Sequence, residues 1–155
     1  MASLKVVNLH RKFKINERAL EILARDIAGR AGLKTRDLAI IFVSNRAIKK
    51  LNRRFRGEDE ATDVLSFSAE IDLPRKGNIS ACDIFISLDK AKENARSFKN
   101  TFEKEITLYM IHGMLHLAGY DDRSASDEKK MRLKEKELLN HICKTTDLSK
   151  VLTRR

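Results

Sequence analysis

The chain has 155 residues, of which 42% are hydrophobic and 35% charged, and its formal net charge is +10. This length and apolar content are typical of one domain with a single core. No segment approaches the roughly 20 apolar residues that cross a bilayer, and the first residues do not resemble a signal peptide, so we expect no membrane partner. The two cysteines, Cys82 and Cys143, are far apart and predict reduced thiols in a cytoplasmic protein.

The basic excess is concentrated in the first third of the chain. Residues 1–56 hold 15 Lys and Arg against 4 Asp and Glu, whereas residues 57–155 hold 17 against 18. Such an asymmetry can steer a polyanion to one side of a protein. Charge alone leaves two interpretations open, a nucleic-acid surface and a solvated basic face.

Apolar periodicity predicts two strands and two helices in the first part of the chain. In order they are a strand over 4–9, a helix over 17–31, a strand over 37–44 and a basic helix over 46–56. Asn16 is the predicted N-cap of the first helix, and Gly32 is its predicted stop. Either Ser44 or Asn45 caps the second helix.

The second part is predicted to contain two strands and three helices. In order they are a loop over 56–63, a strand over 64–71, a turn over 74–80, a strand over 82–88, and helices over 89–98, 102–118 and 126–143. The helix that Thr101 caps is apolar around nearly its whole circumference, so we expect it to be central. The tail to Arg155 is expected to fray from about residue 145. Together the elements predict one α+β domain over residues 1–155.

Two histidines on the predicted central helix are candidate metal ligands. His112 and His116 are four residues apart, so their imidazoles project from the same face. Gly119 can then turn the chain and bring Asp122 back beneath them. This reproduces the zincin-like H-x-x-x-H-x-x-G-x-x-ligand spacing of the metzincins, with a carboxylate as third ligand. The alternative is a pair of hydrogen-bonded core histidines followed by a polar turn.

Gly113 separates this helix from that of a zinc peptidase. The HExxH enzymes need a glutamate directly after the first histidine to activate the attacking water. Glycine cannot act as a general base. The sequence therefore disfavours peptide hydrolysis while it keeps the metal site.

Three sequence blocks carry a resemblance to a known family. The stretch HGMLHLAGYDD, 112–122, resembles the HGxLHLxGYDH signature of the YbeY family of bacterial rRNA maturation factors. The stretch LNRRFRGEDEATDVLSFSAE, 51–70, resembles that family's second signature, and CDIFIS, 82–87, falls where the family has a G-D-I-x-I-S strand. The order and spacing agree, so the resemblance covers about residues 40–135.

The resemblance implies a metal-dependent, single-strand-specific endoribonuclease. Its expected role is rRNA maturation, including 16S rRNA 3′-end processing, and ribosome quality control. Its expected partners are single-stranded rRNA and the small ribosomal subunit or its proteins, whereas the oligomeric state stays open. The implied fold is a small, mixed, mostly parallel sheet covered by helices.

The resemblance also assigns roles to individual positions. The implied metal ligands are His112, His116 and Asp122, the implied catalytic residues are Arg56 and His112, and the residues beside the site are Ser66, Phe67 and Asp121. Asp121 either supports a ligand or stabilises the turn. For Arg56, the alternative is a simple ion pair with Glu58 or Asp59.

The chain departs from the family pattern at three positions. Asp122 replaces the third histidine, Ser68 replaces a proline, and Cys82 replaces a glycine. An anionic ligand makes the metal centre less positive, so its water should be a weaker acid than over three imidazoles. It also favours harder metals somewhat, so one Zn²⁺ per chain is the first expectation and Ni²⁺, Mn²⁺ and Fe²⁺ are alternatives.

The basic helix is the candidate RNA surface. Its outward cations are expected to follow the phosphate backbone: Arg46, Lys49, Lys50, Arg53 and Arg54. Aromatic residues make up only 6% of the chain and tryptophan is absent, which gives little support to a base-stacking surface. Whether a metal-activated water or the RNA 2′-hydroxyl attacks stays open.

Two other functions are weighed against the nuclease. A non-catalytic ribosome assembly factor could use the metal only to hold the helix end. A metallohydrolase could act on a different substrate. Metal without RNA cleavage would favour the first, and cleavage independent of Arg56 would favour the second.

Overall fold

The structure is a computed structural model that describes residues 3–68 and 79–152, with only the backbone of residues 79 and 80. Its elements are β1 (Ser3–Asn8), α1 (Glu17–Ala31), β2 (Thr35–Val43), α2 (Asn45–Arg56), β3 (Val64–Ser68), β4 (Ile79–Ser87), α3 (Leu88–Ser97), α4 (Phe102–Leu117) and α5 (Ala125–Thr145), followed by a 3-10 turn (Leu148–Val151). Within the described ranges, the predicted four strands and five helices of an α+β fold are confirmed.

The four strands form one mixed sheet in the order β1-β2-β4-β3. β1, β2 and β4 are parallel, and β3 runs antiparallel to β4 at the edge. Each parallel connection passes through at least one helix, as such connections require. The mostly parallel sheet expected from the resemblance is therefore confirmed.

The sheet has two unequally covered faces. Its inner face packs on α1, α4 and α5 and forms the main core, whose fully buried side chains include Ile40, Ile84 and Ile106. The outer face carries only a small cluster beneath α2, formed around Val43, Ile48 and Leu65. Helix α4 lies in the main core as predicted, because apolar residues surround it and it contacts β3, β4 and three other helices.

The predicted helix caps are found in the structure. The Asn16 side chain accepts a hydrogen bond from the Ala19 N–H at the start of α1, and Gly32 ends that helix in the left-handed conformation, with φ +70°. Ser44, rather than Asn45, caps α2. Thr101 caps α4.

Strand β4 begins earlier than the sequence predicts. We expected a turn over 74–80 and a strand from Cys82, but β4 starts at Ile79, where it pairs with Thr35 at the beginning of β2. Pairing along all of β2 extends β4 into residues that look like a turn when the sequence is considered alone. The expected strand residues 69–71, and the expected turn as far as residue 78, lie outside the described residues.

The segment after α5 is packed, in contrast to the expected fraying from about residue 145. Val151 is buried, and its carbonyl accepts a hydrogen bond from the Asn16 N–H at 2.8 Å. Leu152 forms an isolated antiparallel bridge with Ile15. An apolar anchor and a backbone partner thus hold the segment up to residue 152. None of the helices within the described ranges has a long enough apolar stretch to cross a membrane.

Candidate active site

The two histidines of α4 lie one turn apart near the end of the helix. Their rings are nearly parallel, with centroids 5.9 Å apart and planes inclined by 20°. His112 is half-buried, whereas His116 is exposed. The i, i+4 spacing therefore brings both imidazoles to one face of the helix, as the sequence predicts.

Each imidazole is oriented by a hydrogen bond at its Nδ1 atom. His116 Nδ1 lies 3.1 Å from the Tyr120 carbonyl oxygen, and His112 Nδ1 contacts Oε1 of Glu135 on α5. A carbonyl or a carboxylate can only accept, so both Nδ1 atoms carry the proton. The Nε2 atoms keep their lone pairs, which is the tautomer that metal-bound histidines have when a carboxylate or carbonyl holds the other nitrogen.

The charges around His112 favour its protonated form. The hydrogen bond with Glu135 raises its pKa above the usual value, against the lowering effect of burial, and the negative charges of Glu135, Asp63 and Asp122 act in the same direction as the bond. The same negative field would attract a metal cation. Asp122 is thus close enough to influence His112.

Gly113 lies where α4 closely approaches the sheet. A Cβ atom at this position would lie 2.9 Å from Ile84 Cγ2 and 3.1 Å from Ser66 Oγ. The Ser66 hydroxyl also donates a hydrogen bond to the Gly113 carbonyl at 3.2 Å. A glutamate there would have no room, so the structure gives a packing reason for the missing peptidase residue. The glycine lets the histidine helix lie directly against β3.

The turn after α4 contains two carboxylates, those of Asp121 and Asp122. Gly119 has φ +107°, a conformation that L side chains rarely adopt, and it reverses the chain. Asp121 Oδ1 accepts hydrogen bonds from the N–H groups of Asp122 and Arg123, at 2.7 and 3.1 Å. Asp121 therefore stabilises the turn, one of the two roles predicted for it. The Asp122 side chain is exposed.

Two of the three predicted ligands are assembled in the structure. His112 and His116 share one face, and both leave Nε2 open, so the pair fits a metal ion. Among residues 3–68 and 79–152, however, no three His, Cys, Asp or Glu side chains lie close enough together to hold one. Asp122 is on the adjoining turn but is not gathered with the histidines. The zincin-like metal site stays a prediction.

Arg56 lies beside the histidines, at the end of α2. Its Nη2 donates to the Ser66 carbonyl at 3.3 Å, and its guanidinium lies over the Phe67 ring, 5.8 Å from the centroid. Among the described residues, the only ion pair at Asp59 is with Lys49, and none joins Arg56 to Glu58. The simple ion pair proposed as the alternative for Arg56 is thus not observed.

Two adjoining clefts bring the predicted residues together. One, of about 170 Å³, is lined by Asn52, Arg56, Glu58, Thr62, Val64, Leu65, Ser66, His112 and His116. The other, of about 380 Å³, is lined by Arg56, His116, Gly119, Tyr120, Asp121, Asp122 and Arg123. Arg56 and His116 border both. Residues from α2, β3, α4 and the following turn thus converge on these clefts, which basic and acidic side chains line together.

The five basic residues predicted to contact RNA are all exposed on α2: Arg46, Lys49, Lys50, Arg53 and Arg54. Helix α2 contains no acidic residue. The helix leads directly to Arg56, so its positive surface is continuous with the two clefts.

Sequence reasoning missed Glu135 and Tyr120 as partners of the histidines. Tyr120 contributes only its carbonyl, which no side-chain pattern reveals. Glu135 lies in a helix that also contains Glu128 and Glu137, so its spacing alone does not distinguish it. Glu135 can be distinguished only by the packing of α5 on α4, which brings its carboxylate to His112.

The chain is similar in sequence to a family of known proteins. Residues 5–143 match the profile of a family described as Endoribonuclease YbeY. An Endoribonuclease YbeY of Myxococcus xanthus is 45% identical over 105 residues, which are 66% of this chain and 35% of that protein. One of Bacillus cytotoxicus is 38% identical over 114 residues, which are 66% of this chain and 70% of that protein. The chain thus spans about a third of the Myxococcus relative.

A solved structure shares the fold. The solution structure of a Thermotoga maritima protein superposes with a TM-score of 0.62 at 33% sequence identity. The match covers 92% of this chain and 90% of the other. The similarity therefore includes nearly the whole domain as well as the motif region.

Proposed function

This chain belongs to the Endoribonuclease YbeY family, and from that premise we propose that it is a metal-dependent endoribonuclease that cuts single-stranded rRNA during its maturation. The observation that carries the proposal is the convergence of His112, His116 and Arg56 on one cleft. Such a cleft offers two open imidazole nitrogens and one guanidinium to the same phosphate group.

The chain's own residues would hold the metal in a defined orientation. We propose His112, His116 and Asp122 as ligands, with Zn²⁺ favoured and Ni²⁺, Mn²⁺ or Fe²⁺ as alternatives. The bound metal would supply Lewis-acid polarisation of a phosphoryl oxygen. Glu135 and the Tyr120 carbonyl accept from the Nδ1 atoms, so each ring in its neutral form turns Nε2 toward the metal. The raised pKa of His112 means that a metal ion would compete with a proton for its Nε2 atom.

Arg56 has the chemistry needed at a phosphodiester under attack. Its planar, always charged guanidinium can donate two hydrogen bonds to phosphate oxygens and neutralise charge as it develops. Its contacts with the Ser66 carbonyl and the Phe67 ring hold it near the cleft before RNA binds. Arg56 is therefore proposed as a catalytic residue rather than a simple surface cation.

Single-stranded RNA is the proposed substrate. The clefts lie between α2, β3 and the turn after α4, and Arg56 borders both. A single strand can splay its bases apart and present a phosphate there, whereas a duplex resists unstacking. The small ribosomal subunit or its proteins as partners, and a cytoplasmic location, stay predictions.

Purified variants test the site. We expect His112→Ala to lose metal, Arg56→Ala to retain metal but lose cleavage, and Asp122→His to retain both. Metal content is measured by elemental analysis, and cleavage is measured on a single-stranded rRNA fragment and on the same sequence annealed to its complement. Arg132→Ala, an exposed arginine paired with Glu128 on α5, is the matched control and should change neither.

Two results would contradict the proposal. Cleavage that survives in both His112→Ala and Arg56→Ala would exclude the assigned site. Wild-type protein that holds metal and binds rRNA without cutting it would instead indicate an assembly factor.

A further inference from the structure

Three phenylalanines form a continuous row on the outer face of the sheet. Phe55 at the end of α2 contacts Phe67 of β3, with ring centroids 5.2 Å apart, and Phe67 contacts Phe85 of β4 at 5.9 Å. Phe55 is 57% exposed, and the other two rings are partly exposed. We call Phe55, Phe67 and Phe85 the phenylalanine row. Phe55, its most exposed ring, immediately precedes Arg56, which borders the candidate active site.

Arginines accompany two of these rings. The Arg54 guanidinium lies 5.4 Å from the Phe55 centroid, and the Arg56 guanidinium lies 5.8 Å from that of Phe67. Guanidinium groups over rings are themselves planar surfaces that can stack. The row thus combines flat apolar faces with fixed positive charge.

The charge around the row is strongly asymmetric. Helix α2 carries six cations and no acidic residue. Exposed carboxylates near α2 include those of residues 58–60 in the next loop, Glu93, which accepts a hydrogen bond from the Asn45 side chain, and Asp83, which pairs with Phe67 across the sheet. A polyanion would be attracted along α2 and repelled by these carboxylates.

The row is joined to the active site by one residue. Arg56 contacts the Phe67 ring and also lines both clefts beside the histidines. A nucleotide whose phosphate meets Arg56 would therefore have its neighbouring bases close to Phe67 and Phe55.

We propose that the phenylalanine row is a stacking surface for the bases that flank the cut phosphate of single-stranded RNA. This inference rests on the proposed function and adds how the substrate is held. Bases stack on aromatic rings whatever their sequence, while the cations of α2 follow the backbone. A ring that is more than half exposed on a helix with six cations suits such a strand, which needs a flat surface and positive charge together.

The structure revises one expectation from the sequence. The low aromatic content gave little support to base stacking, but stacking depends on where the rings lie and not on their total number. Three of the seven phenylalanines are collected in this row. Their convergence depends on α2 crossing β3 and β4, which the sequence does not reveal.

Binding of RNA without cleavage tests the proposal. A fluorescent single-stranded oligoadenylate and an abasic RNA backbone of equal length are titrated with protein in the presence of a chelator. We expect Phe55→Leu, which keeps an apolar side chain but removes the ring, to weaken oligoadenylate binding about tenfold. Phe55→Tyr should retain wild-type affinity, and the dependence of affinity on salt should not change, because no phosphate contact is lost.

A matched control separates a local effect from a general loss of exposed aromatic surface. Phe98, 72% exposed at the end of α3, is outside the row, so Phe98→Leu should bind like wild type. On the abasic backbone, wild type and Phe55→Leu should bind equally.

The outcomes distinguish this inference from the proposed function. If wild type cleaves rRNA but Phe55→Leu binds oligoadenylate as tightly as wild type does, the stacking surface is refuted, the nuclease stands, and a protein partner becomes the better occupant of the row. Wild type that prefers oligoadenylate no more than the abasic backbone also refutes stacking. If wild type does not cleave rRNA, the proposed nuclease function is refuted. A tenfold weaker binding of oligoadenylate by Phe55→Leu would still support base stacking on the phenylalanine row.

Discussion

The orientation of each candidate histidine ligand depends on a hydrogen bond at its Nδ1 atom. The His116 bond goes to a backbone carbonyl four residues later, so the local turn supplies it. The His112 bond goes to Glu135, which α5 brings from a distant part of the sequence. The two histidines therefore differ in how easily a single substitution can disturb them.

Glu135→Gln should weaken metal binding without preventing folding. The amide keeps the size of the side chain but loses the negative charge that orients His112 and raises its basicity. Loss of such a supporting partner typically lowers metal affinity by about 10–100-fold. Competition with a chromogenic chelator measures this affinity directly.

Glu137→Gln is the control for that change. Glu137 is on the same helix, and among the described residues its ion pair is with Lys134, at 3.6 Å. The metal affinity of the Glu137→Gln variant should therefore equal that of wild type. Equal metal affinity of Glu135→Gln and wild type would show that Glu135 does not act through His112.

At the scale of secondary-structure elements, the contact between α4 and β3 positions the site. Ser66 bonds to the Gly113 carbonyl from one side of β3, and its own carbonyl accepts from Arg56. One strand residue thus links the helix of the histidines to the arginine. A shift of α4 away from β3 would change the distance between both groups.

Gly113→Ala should therefore destabilise the protein. The added methyl would lie 2.9 Å from the branched Ile84 side chain, which cannot rotate away without disturbing the core. Overpacking of this kind costs about 1–3 kcal/mol, more than the roughly 1 kcal/mol that alanine gains over glycine in a helix. Thermal or denaturant unfolding measures the change.

Gly29→Ala provides the opposite expectation within the same protein. Gly29 is also helical, but nothing lies within 4 Å of an added Cβ. This variant should be more stable than wild type by about 0.5–1 kcal/mol. If both alanine variants were equally stable, the close approach of α4 to β3 would be disproved.

Asp89, in the first turn of α3, connects this helix with α2 and with the loop after β1. Its carboxylate accepts from the Asn45 N–H at the start of α2 at 2.8 Å and from His10 Nε2 at 2.9 Å. Burial alone would raise its pKa. The hydrogen bonds from Asn45 and His10 and the charges of His10 and Lys12 outweigh burial, so the pKa lies below the ordinary value of 3.8.

Asp89→Asn should lower stability at neutral pH and matter little in acid. A carboxyl with a depressed pKa in the folded chain stabilises it above the ordinary value, and the contribution is lost as pH falls through the folded pKa. We expect a loss of about 1–3 kcal/mol near pH 7, typical of hydrogen bonds to a charged group, that diminishes as pH falls through the folded pKa. Urea unfolding at several pH values measures it.

The corresponding control is Asp26→Asn. Within the part of the chain that the structure describes, the ion pair of Asp26 is an exposed i, i+4 pair with Arg30, so its loss should have little effect at any pH. A pH-independent effect of Asp89→Asn would mean that its ionisation does not stabilise the fold.

Elements defined by local chemistry could be predicted from the sequence, and those defined by pairing could not. The Asn16 cap, the Gly32 stop and the spacing of His112 and His116 are encoded within a few residues, and the structure contains all of them. The early start of β4 depends on its pairing with β2, and the role of Glu135 depends on helix packing. Neither has a local signal.

Over the whole molecule, six of the 15 basic residues in the first third of the sequence are gathered on α2. Helix α2 carries six exposed or partly exposed cations beside the clefts, and residues of the remaining chain supply the histidines and carboxylates. The cations that would attract RNA thus lie on α2, whereas the candidate metal ligands lie on α4 and the turn after it. Electrostatic steering toward such a surface falls with ionic strength.

The position of these charges should matter more than their number. Replacement of Arg46, Lys50 and Arg53 by glutamine should weaken binding of single-stranded RNA and reduce the slope of log affinity against log salt by about one for each lost phosphate contact. Affinities measured between low and moderate salt give the slope.

A variant of equal net charge controls for that result. Replacement of Lys129, Lys136 and Lys144, exposed on α5, removes three charges from a different element and should leave the slope unchanged. Equal losses in both triple variants would indicate that only overall charge attracts RNA.

The backbone contact between Asn16 and Val151 has a consequence for synthesis on the ribosome. Translation proceeds from the N-terminus, so the Asn16 N–H group at the start of α1 has no Val151 carbonyl to bond until residue 151 has been added. Ile15 likewise waits for Leu152. A nascent chain interrupted within α5 would therefore lack both backbone contacts. Proteolysis of such stalled products should begin in the exposed segment between β1 and α1.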